Sequence, residues 1–99
     1  MTTDDISEIS IDENGRLLVR PRTQDFSYIY RAAMEVGWDP ESRTLFSAVP
    51  REWSYLRWFE QIVRAAASEY DVRLDVTAQT KWRNVPEALR TEIEAAPTV

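Results

Sequence analysis

The segment that most constrains the fold is the amphipathic stretch from Pro50 to Tyr70, which predicts one long helix. Its apolar residues recur at helical spacing, and proline suits the first turn of a helix. The apolar stripe consists of Tyr55, Leu56, Trp58, Phe59, Ile62, Val63, Ala66, Ala67 and Tyr70. This stripe covers roughly half of the helix circumference, whereas a core-facing surface helix needs only about 100°. We therefore expect the helix to cover a sheet and to bury its surplus width against a second helix or another subunit.

A β-hairpin is predicted from Ile6–Asp12 and Arg16–Arg22, with Glu13, Asn14 and Gly15 as a three-residue loop. The resulting register pairs Asp12 with Arg16, Ile11 with Leu17, Ile9 with Val19 and Glu8 with Arg20. A two-residue loop would mix polar and apolar side chains on one face, so the longer loop is favoured. Gly15 suits the left-handed residue that ends such a loop, and Pro21 ends the second strand or places it at an edge.

The segment Asp25–Val36 has the apolar spacing of a short helix, and Gly37 suits its C-terminal stop. Asp25 or Thr23 can cap its start. The alternation of aromatic residues at 26, 28 and 30 leaves a strand as the alternative.

Two strands and one helix are predicted in the rest of the chain. Trp38–Ser42 reads as a turn and Arg43–Val49 as a central strand, because Leu45 and Phe46 would be apolar on opposite faces. Asp71–Thr77 alternates cleanly, which is typical of a half-buried strand. After a loop over Ala78–Arg83, a capping box at residues 84–87 would begin a last helix that stops at Pro97.

The predicted element order is β-β-α-β-α-β-α. We expect one domain over residues 1–99, of the α+β class, with a four-stranded, mainly antiparallel sheet covered by helices. The helix at about 50–70 should be its principal cover.

The chain contains no histidine and no cysteine. Common zinc and iron–sulfur sites and Ser-His-Asp or Cys-His catalysis are therefore excluded. Two glycines are too few for a glycine-rich phosphate loop. No spacing demands a catalytic carboxylate pair, so we predict no catalytic residue, no metal site and no cofactor, and an enzyme is the less favoured class.

The net charge of −5 disfavours nucleic-acid binding, which relies on a basic surface. No apolar run approaches the ~18 residues of a membrane span, so we expect no membrane association. The polar, acidic N-terminus is not a signal peptide. Together with the lack of cysteine, this favours a cytoplasmic protein.

Candidate binding residues cluster at the start of the long helix. Trp53 lies off the apolar stripe, one turn before Arg57, so the two can form a cation–π pair. The alternative is that Trp53 folds back onto the preceding loop. Trp58 lies at the margin of the stripe. Tryptophan and arginine are frequent anchors of interfaces, so we predict that these three residues contact a partner or a second subunit.

A second set of candidates lies outside the helix. Trp82, between two cations in a predicted loop, either covers an edge of the core or stacks on a ligand. With Tyr28, Tyr30 and Trp58 it could line an aromatic–arginine pocket for a planar or anionic small molecule. The same residues could equally form a dimer seam.

Three segments carry a resemblance to known proteins: Ile11–Leu17 (IDENGRL), Arg51–Trp53 (REW) and Trp82–Pro86 (WRNVP). They resemble small uncharacterised bacterial proteins of the kind carried on mobile, integron-type gene cassettes. The resemblance lies in a short, acidic, aromatic-rich α+β chain, and no catalytic residue follows from it. It implies an accessory protein of unknown role that commonly self-associates or binds a partner.

We therefore predict a non-enzymatic binding or interaction protein that forms a homodimer through the aromatic-rich helix face. One alternative is a small-molecule-binding protein or enzyme with an aromatic–arginine pocket. Another, based on the negative charge, is an inhibitor of a basic partner, as immunity proteins are.

Overall fold

The computed structural model describes residues 1–96, which form six strands, two α-helices and one 3-10 turn at Ile29–Arg31. The elements are β1 (Thr2–Ile11), β2 (Leu17–Pro21), β3 (Gly37–Asp39), β4 (Thr44–Phe46), α1 (Tyr55–Tyr70), β5 (Val72–Asp75), β6 (Lys81–Arg83) and α2 (Glu87–Ala95). The α+β class is confirmed. The expected four strands and three helices are wrong in number.

The sheet is mixed, and β1 pairs with three other strands. The strands follow the order β3-β4-β2-β1-β5, and β6 also pairs with β1. β2 pairs antiparallel with β1, whereas both β5 and β6 pair parallel with it. The predicted mainly antiparallel sheet is therefore wrong at these two strands. Alternation within a strand shows which residues face the core, but it does not show which strand is the partner or in which direction it runs.

Buried Thr80 lies where the pairing of β1 with β5 ends and its pairing with β6 begins. The register of β1 shifts between Ile6 and Glu8. Beside this irregularity, the Thr80 hydroxyl donates a hydrogen bond to the Ile6 carbonyl at 2.7 Å and accepts one from the Thr77 amide at 2.9 Å. The side chain therefore satisfies backbone groups where neither β5 nor β6 continues the ladder.

The predicted hairpin register is confirmed. Ile11 lies opposite Leu17, and the predicted pairs Ile9–Val19 and Glu8–Arg20 are also present. The Asp12 amide donates to the Arg16 carbonyl at 3.0 Å, which closes the three-residue loop. Gly15 has a φ of 84°, the left-handed conformation that the loop requires. Pro21 ends β2, as expected.

The helix predicted over Asp25–Val36 is wrong, because only the 3-10 turn forms there. The Asp25 carboxylate accepts a hydrogen bond from the Ser27 amide, a local turn that competes with a helix. Phe26 and Ile29 are fully buried, so the apolar positions point inward without a regular helix. Helical spacing over so few residues does not separate a helix from a succession of turns.

Helix α1 begins five residues later than predicted and ends at the predicted residue. Ser54 is its N-cap, and the hydroxyl oxygen accepts a hydrogen bond from the Arg57 amide at 3.2 Å. An N-cap residue has non-helical backbone angles, so the helix cannot extend back to Pro50. Asp71, in the left-handed region at φ 55°, ends the helix.

The C-terminal part differs from prediction in two ways. The predicted loop at residues 78–83 contains β6. The first two residues of the predicted turn at 38–42 belong to β3 instead. The capping box does not form. Asn84 has a φ of 58°, and its side-chain amide donates to the Ile11 carbonyl at 3.1 Å instead. The predicted stop at Pro97 lies outside the described residues.

The core explains the wide apolar stripe of α1. Helix α1 lies against β2, β5, α2 and the 3-10 turn. Its buried residues are Trp58, Phe59, Ile62, Val63, Ala65 and Ala66. Leu89 and Ile93 of α2 belong to the same buried cluster. A second helix of the same chain therefore covers part of the stripe, one of the two possibilities that its width allowed. Neither helix within residues 1–96 could cross a bilayer.

Candidate functional site

A groove with a volume of about 570 Å³ lies at the N-terminal end of α1. We call it the tryptophan groove. Its lining residues are Met34, Glu35, Ala48, Val49, Arg51, Glu52, Trp53, Trp58 and Gln61. The turns before β3 supply the first two, the segment between β4 and α1 supplies the next five, and α1 supplies the last two. The groove therefore forms where two loops meet the first turns of the helix.

The local sequence at the start of α1 explains why the two tryptophans meet. Trp53 precedes the N-cap Ser54, and Trp58 is the fourth residue of the helix. An apolar pair at these positions packs together as a hydrophobic staple. Their ring centroids lie 4.9 Å apart at an interplanar angle of 49°. Trp58 is only 7% exposed, whereas Trp53 is half-buried.

The cation–π interaction predicted between Trp53 and Arg57 is present. The guanidinium carbon of Arg57 lies 4.6 Å from the centroid of the Trp53 ring. Tryptophan is the ring type that attracts cations best. The structure thus brings Trp53, Arg57 and Trp58 together, and both tryptophans line the groove.

The charged residues of the groove are Glu35, Arg51 and Glu52, all exposed. Glu35 lies in the turn that leads into β3 and has a φ of 68°, which is uncommon for a residue with a side chain. Within residues 1–96, neither glutamate forms a hydrogen bond or ion pair through its side chain. The groove therefore combines aromatic walls with a rim of net charge −1.

Tyr28 and Tyr30 lie outside the groove. Both are exposed, by 53% and 60%, and their ring centroids are 6.4 Å apart. The Tyr28 amide donates to the Tyr70 hydroxyl at 2.7 Å, at the C-terminal end of α1. Met34 is 86% exposed and lines the groove near the opposite end of α1. We call Tyr28 and Tyr30 the exposed patch.

Trp82 lies apart from the other predicted site residues. It is the central residue of β6, opposite Ile9 of β1, and it is half-buried against the core. The guanidinium carbon of Arg90, on α2, lies 5.1 Å from its ring centroid. The predicted pocket of Tyr28, Tyr30, Trp58 and Trp82 is therefore not formed as one cavity by the described residues.

A smaller cavity of about 410 Å³ lies beside the β-hairpin loop and includes Asp12, Arg16, Asp39, Ser42 and Phe46 in its lining. Burial would raise the pKa of Asp12, but hydrogen bonds from Arg16 and the Asn14 amide outweigh it and hold the pKa below its usual value. The Ser42 hydroxyl and the Glu41 amide similarly lower the pKa of Asp39. Both carboxylates are occupied in closing turns.

Sequence reasoning missed the loop residues of the groove, among them Met34, Glu35, Val49 and Arg51. One available signal was the spacing of Trp53, Ser54 and Trp58, which fits a capped helix with a hydrophobic staple. It would have moved the helix start to Tyr55 and left residues 47–53 as a loop beside Trp58.

Residues 4–80 match a protein family described as Integron Cassette Protein Hfx_Cass5. The chain belongs to this family. No curated protein matches it. The groove residues, from Met34 to Gln61, all lie within the part that matches the Hfx_Cass5 family, whereas β6 and α2 follow it.

One solved structure is similar to this chain over nearly its whole length. It is the integron cassette protein Hfx_Cass5 from the mobile metagenome of the North West Arm sewage outfall. The two sequences are 49% identical, the match covers 95% of this chain and 94% of that chain, and the TM-score is 0.50. The resemblance to cassette-borne proteins is therefore confirmed.

Proposed function

We propose that this Hfx_Cass5 family member is a non-enzymatic binding protein that holds a small ligand in the tryptophan groove and works as a homodimer. One observation carries the ligand site. The groove has a volume of about 570 Å³ and contains two tryptophan rings in contact, one of them half-buried at its wall. Ligand sites typically have volumes of roughly 300–1,000 Å³ and aromatic linings with a few polar groups.

The polar groups of the groove support binding rather than catalysis. Among its described lining residues, the groups with the chemistry of a general base are the carboxylates of Glu35 and Glu52. No hydroxyl, amine or imidazole group accompanies them there as a nucleophile. The described residues also hold no cluster of three or more acidic side chains that could bind a metal.

The ligand site is tested by tryptophan fluorescence and thermal unfolding across a broad metabolite set. A ligand present at 100 times its dissociation constant should stabilise the fold by ~2.7 kcal/mol. Trp53→Ala should abolish this stabilisation, because it removes the accessible ring of the groove. Trp82→Phe removes an indole ring outside the groove and outside the exposed patch, so it should leave binding unchanged. A ligand that binds wild type and Trp53→Ala equally would refute the groove as its site.

The exposed patch supports the homodimer. The large apolar side chains that are exposed in residues 1–96 are Met1, Tyr28, Tyr30, Met34 and Val49. Tyr28 and Tyr30 lie side by side, with ring centroids 6.4 Å apart. Exposed apolar side chains that cluster in this way mark interaction surfaces, and tyrosine is enriched among interface anchors. We place the dimer contact on this patch because α1 buries most of its own stripe within the chain.

Sedimentation at micromolar concentration tests the dimer. We expect a species of about twice the chain mass of 11.6 kDa. Tyr30→Glu should shift the protein to monomer, because it places a charge in an apolar contact. Gln79→Glu adds the same charge in the exposed loop between β5 and β6 and should leave the dimer intact. A wild-type monomer at tens of micromolar would rule out the dimer while leaving the ligand site standing.

A further inference from the structure

The charge balance of the tryptophan groove favours a cationic guest. Its described lining carries two carboxylates, Glu35 and Glu52, against one guanidinium, Arg51. Within residues 1–96, six of the eleven arginines form ion pairs with acidic side chains, as Arg16 does with Asp12 at 3.0 Å. The two groove glutamates have no such partner within residues 1–96. Their charge is therefore available to a bound molecule.

The aromatic wall has the same preference. The face of an indole ring carries negative electrostatic potential, so it attracts cations. Arg57 already places its guanidinium 4.6 Å from the Trp53 centroid, which shows that this ring holds a positive group in its own fold. A guest in the groove meets the remaining exposed surface of Trp53, together with the apolar side chains of Met34 and Val49.

The whole chain adds a weaker, longer-range effect in the same direction. At a net charge of −5, the protein attracts cations and repels anions before contact. An anionic guest would be repelled by this field and by the two groove glutamates. Among the described lining residues, only Arg51 would attract it.

We propose that the tryptophan groove selects an organic cation, an ammonium or guanidinium group on a planar or alkyl body. The inference rests on the proposed function, because it names the class of ligand for that site. The charged group lies against Trp53 with Glu35 and Glu52 beside it, and the apolar body lies along Met34 and Val49. A bare metal ion does not fit this description, because it has no apolar surface to bury against those side chains.

Three probes of similar size separate charge from shape: benzylammonium, benzyl alcohol and benzoate. We expect quenching of tryptophan fluorescence by the cation at concentrations at least fivefold lower than by the neutral probe, and still weaker binding of benzoate. Glu35→Gln and Glu52→Gln should each weaken cation binding about two- to fivefold, the range for a partly solvated charge pair, and leave benzyl alcohol unaffected. Glu92→Gln makes the same charge change on the exposed face of α2 and should have no effect.

The outcomes distinguish this inference from the proposed function. Equal binding of the cation and benzyl alcohol, with no effect of either glutamine substitution, would overturn the cation preference and keep the groove as an apolar ligand site. Tighter binding of benzoate would overturn it as well. If none of the probes binds and no metabolite stabilises the protein, both the inference and the ligand site fail. Salt should weaken the cation more than the neutral probe.

Discussion

Asp4 shows how a single buried carboxylate positions the exposed patch. It is 4% exposed, and its oxygens accept hydrogen bonds from the Thr23 amide, the Thr23 hydroxyl and the Gln24 amide at 3.0–3.3 Å. These bonds fasten the chain that leaves β2 onto β1. The segment that carries Tyr28, Tyr30 and Met34 begins at this anchor. A charge this deeply buried is tolerated because its oxygens are satisfied.

We predict that Asp4→Ala lowers the free energy of unfolding by about 2 kcal/mol, because it removes the buried carboxylate that accepts hydrogen bonds from Thr23 and Gln24. Asp5→Ala is the matched control. The Asp5 carboxylate is 42% exposed and pairs with Arg22 at 3.7 Å, so its removal should cost less than ~1 kcal/mol. Urea unfolding of both variants provides the comparison. Equal losses would show that Asp4 contributes no more than a surface ion pair.

The first turn of α1 determines the geometry of the groove. Ser54 caps the helix, and the staple between Trp53 and Trp58 sets the direction from which the chain enters. The loop before the cap supplies Val49 and Arg51 to the groove. Cap, staple and groove are therefore one local arrangement.

Ser54→Ala should destabilise the protein by about 1 kcal/mol, since it removes the acceptor for the Arg57 amide. Ser68→Ala serves as the control within the same helix. The Ser68 hydroxyl donates to the Ala65 carbonyl, and alanine is the better helix former, so this change should be neutral or slightly stabilising. Chemical denaturation measures both. A larger loss from Ser68→Ala would contradict the assigned role of the cap.

Elements determined by neighbouring residues could be predicted from the sequence. The hairpin register followed from alternation and from Gly15, both of which act within a few residues. The segment Asp25–Val36 could not be predicted in the same way, because its apolar spacing fits a helix and a succession of turns equally well. The chain just before it is held by Asp4, about twenty positions earlier. Strand β6 was not predicted, because its three residues acquire strand geometry only by pairing with the distant strand β1.

At the scale of the whole molecule, the candidate site was predictable only where one helix holds it. Trp53, Arg57 and Trp58 lie within six residues, so helical geometry brings them together. The opposite wall comes from residues 34–35, and its approach depends on the packing of the entire segment before β3. Tyr28, Tyr30 and Trp82 were grouped with them by residue type, and tertiary structure separates them.

The pairing of β1 with strands from both ends of the chain has a consequence for how the protein is made. Thr2 lies opposite Val72, and Glu8 lies opposite Lys81, so the first strand of the chain pairs with two of its last. Contacts between such distant residues form slowly, because the intervening chain must first be brought together. As the polypeptide leaves the ribosome, β1 has only β2 as a partner along one edge until residues 72–83 emerge. We therefore expect the sheet to be completed after translation, with an unpaired strand edge exposed in the meantime.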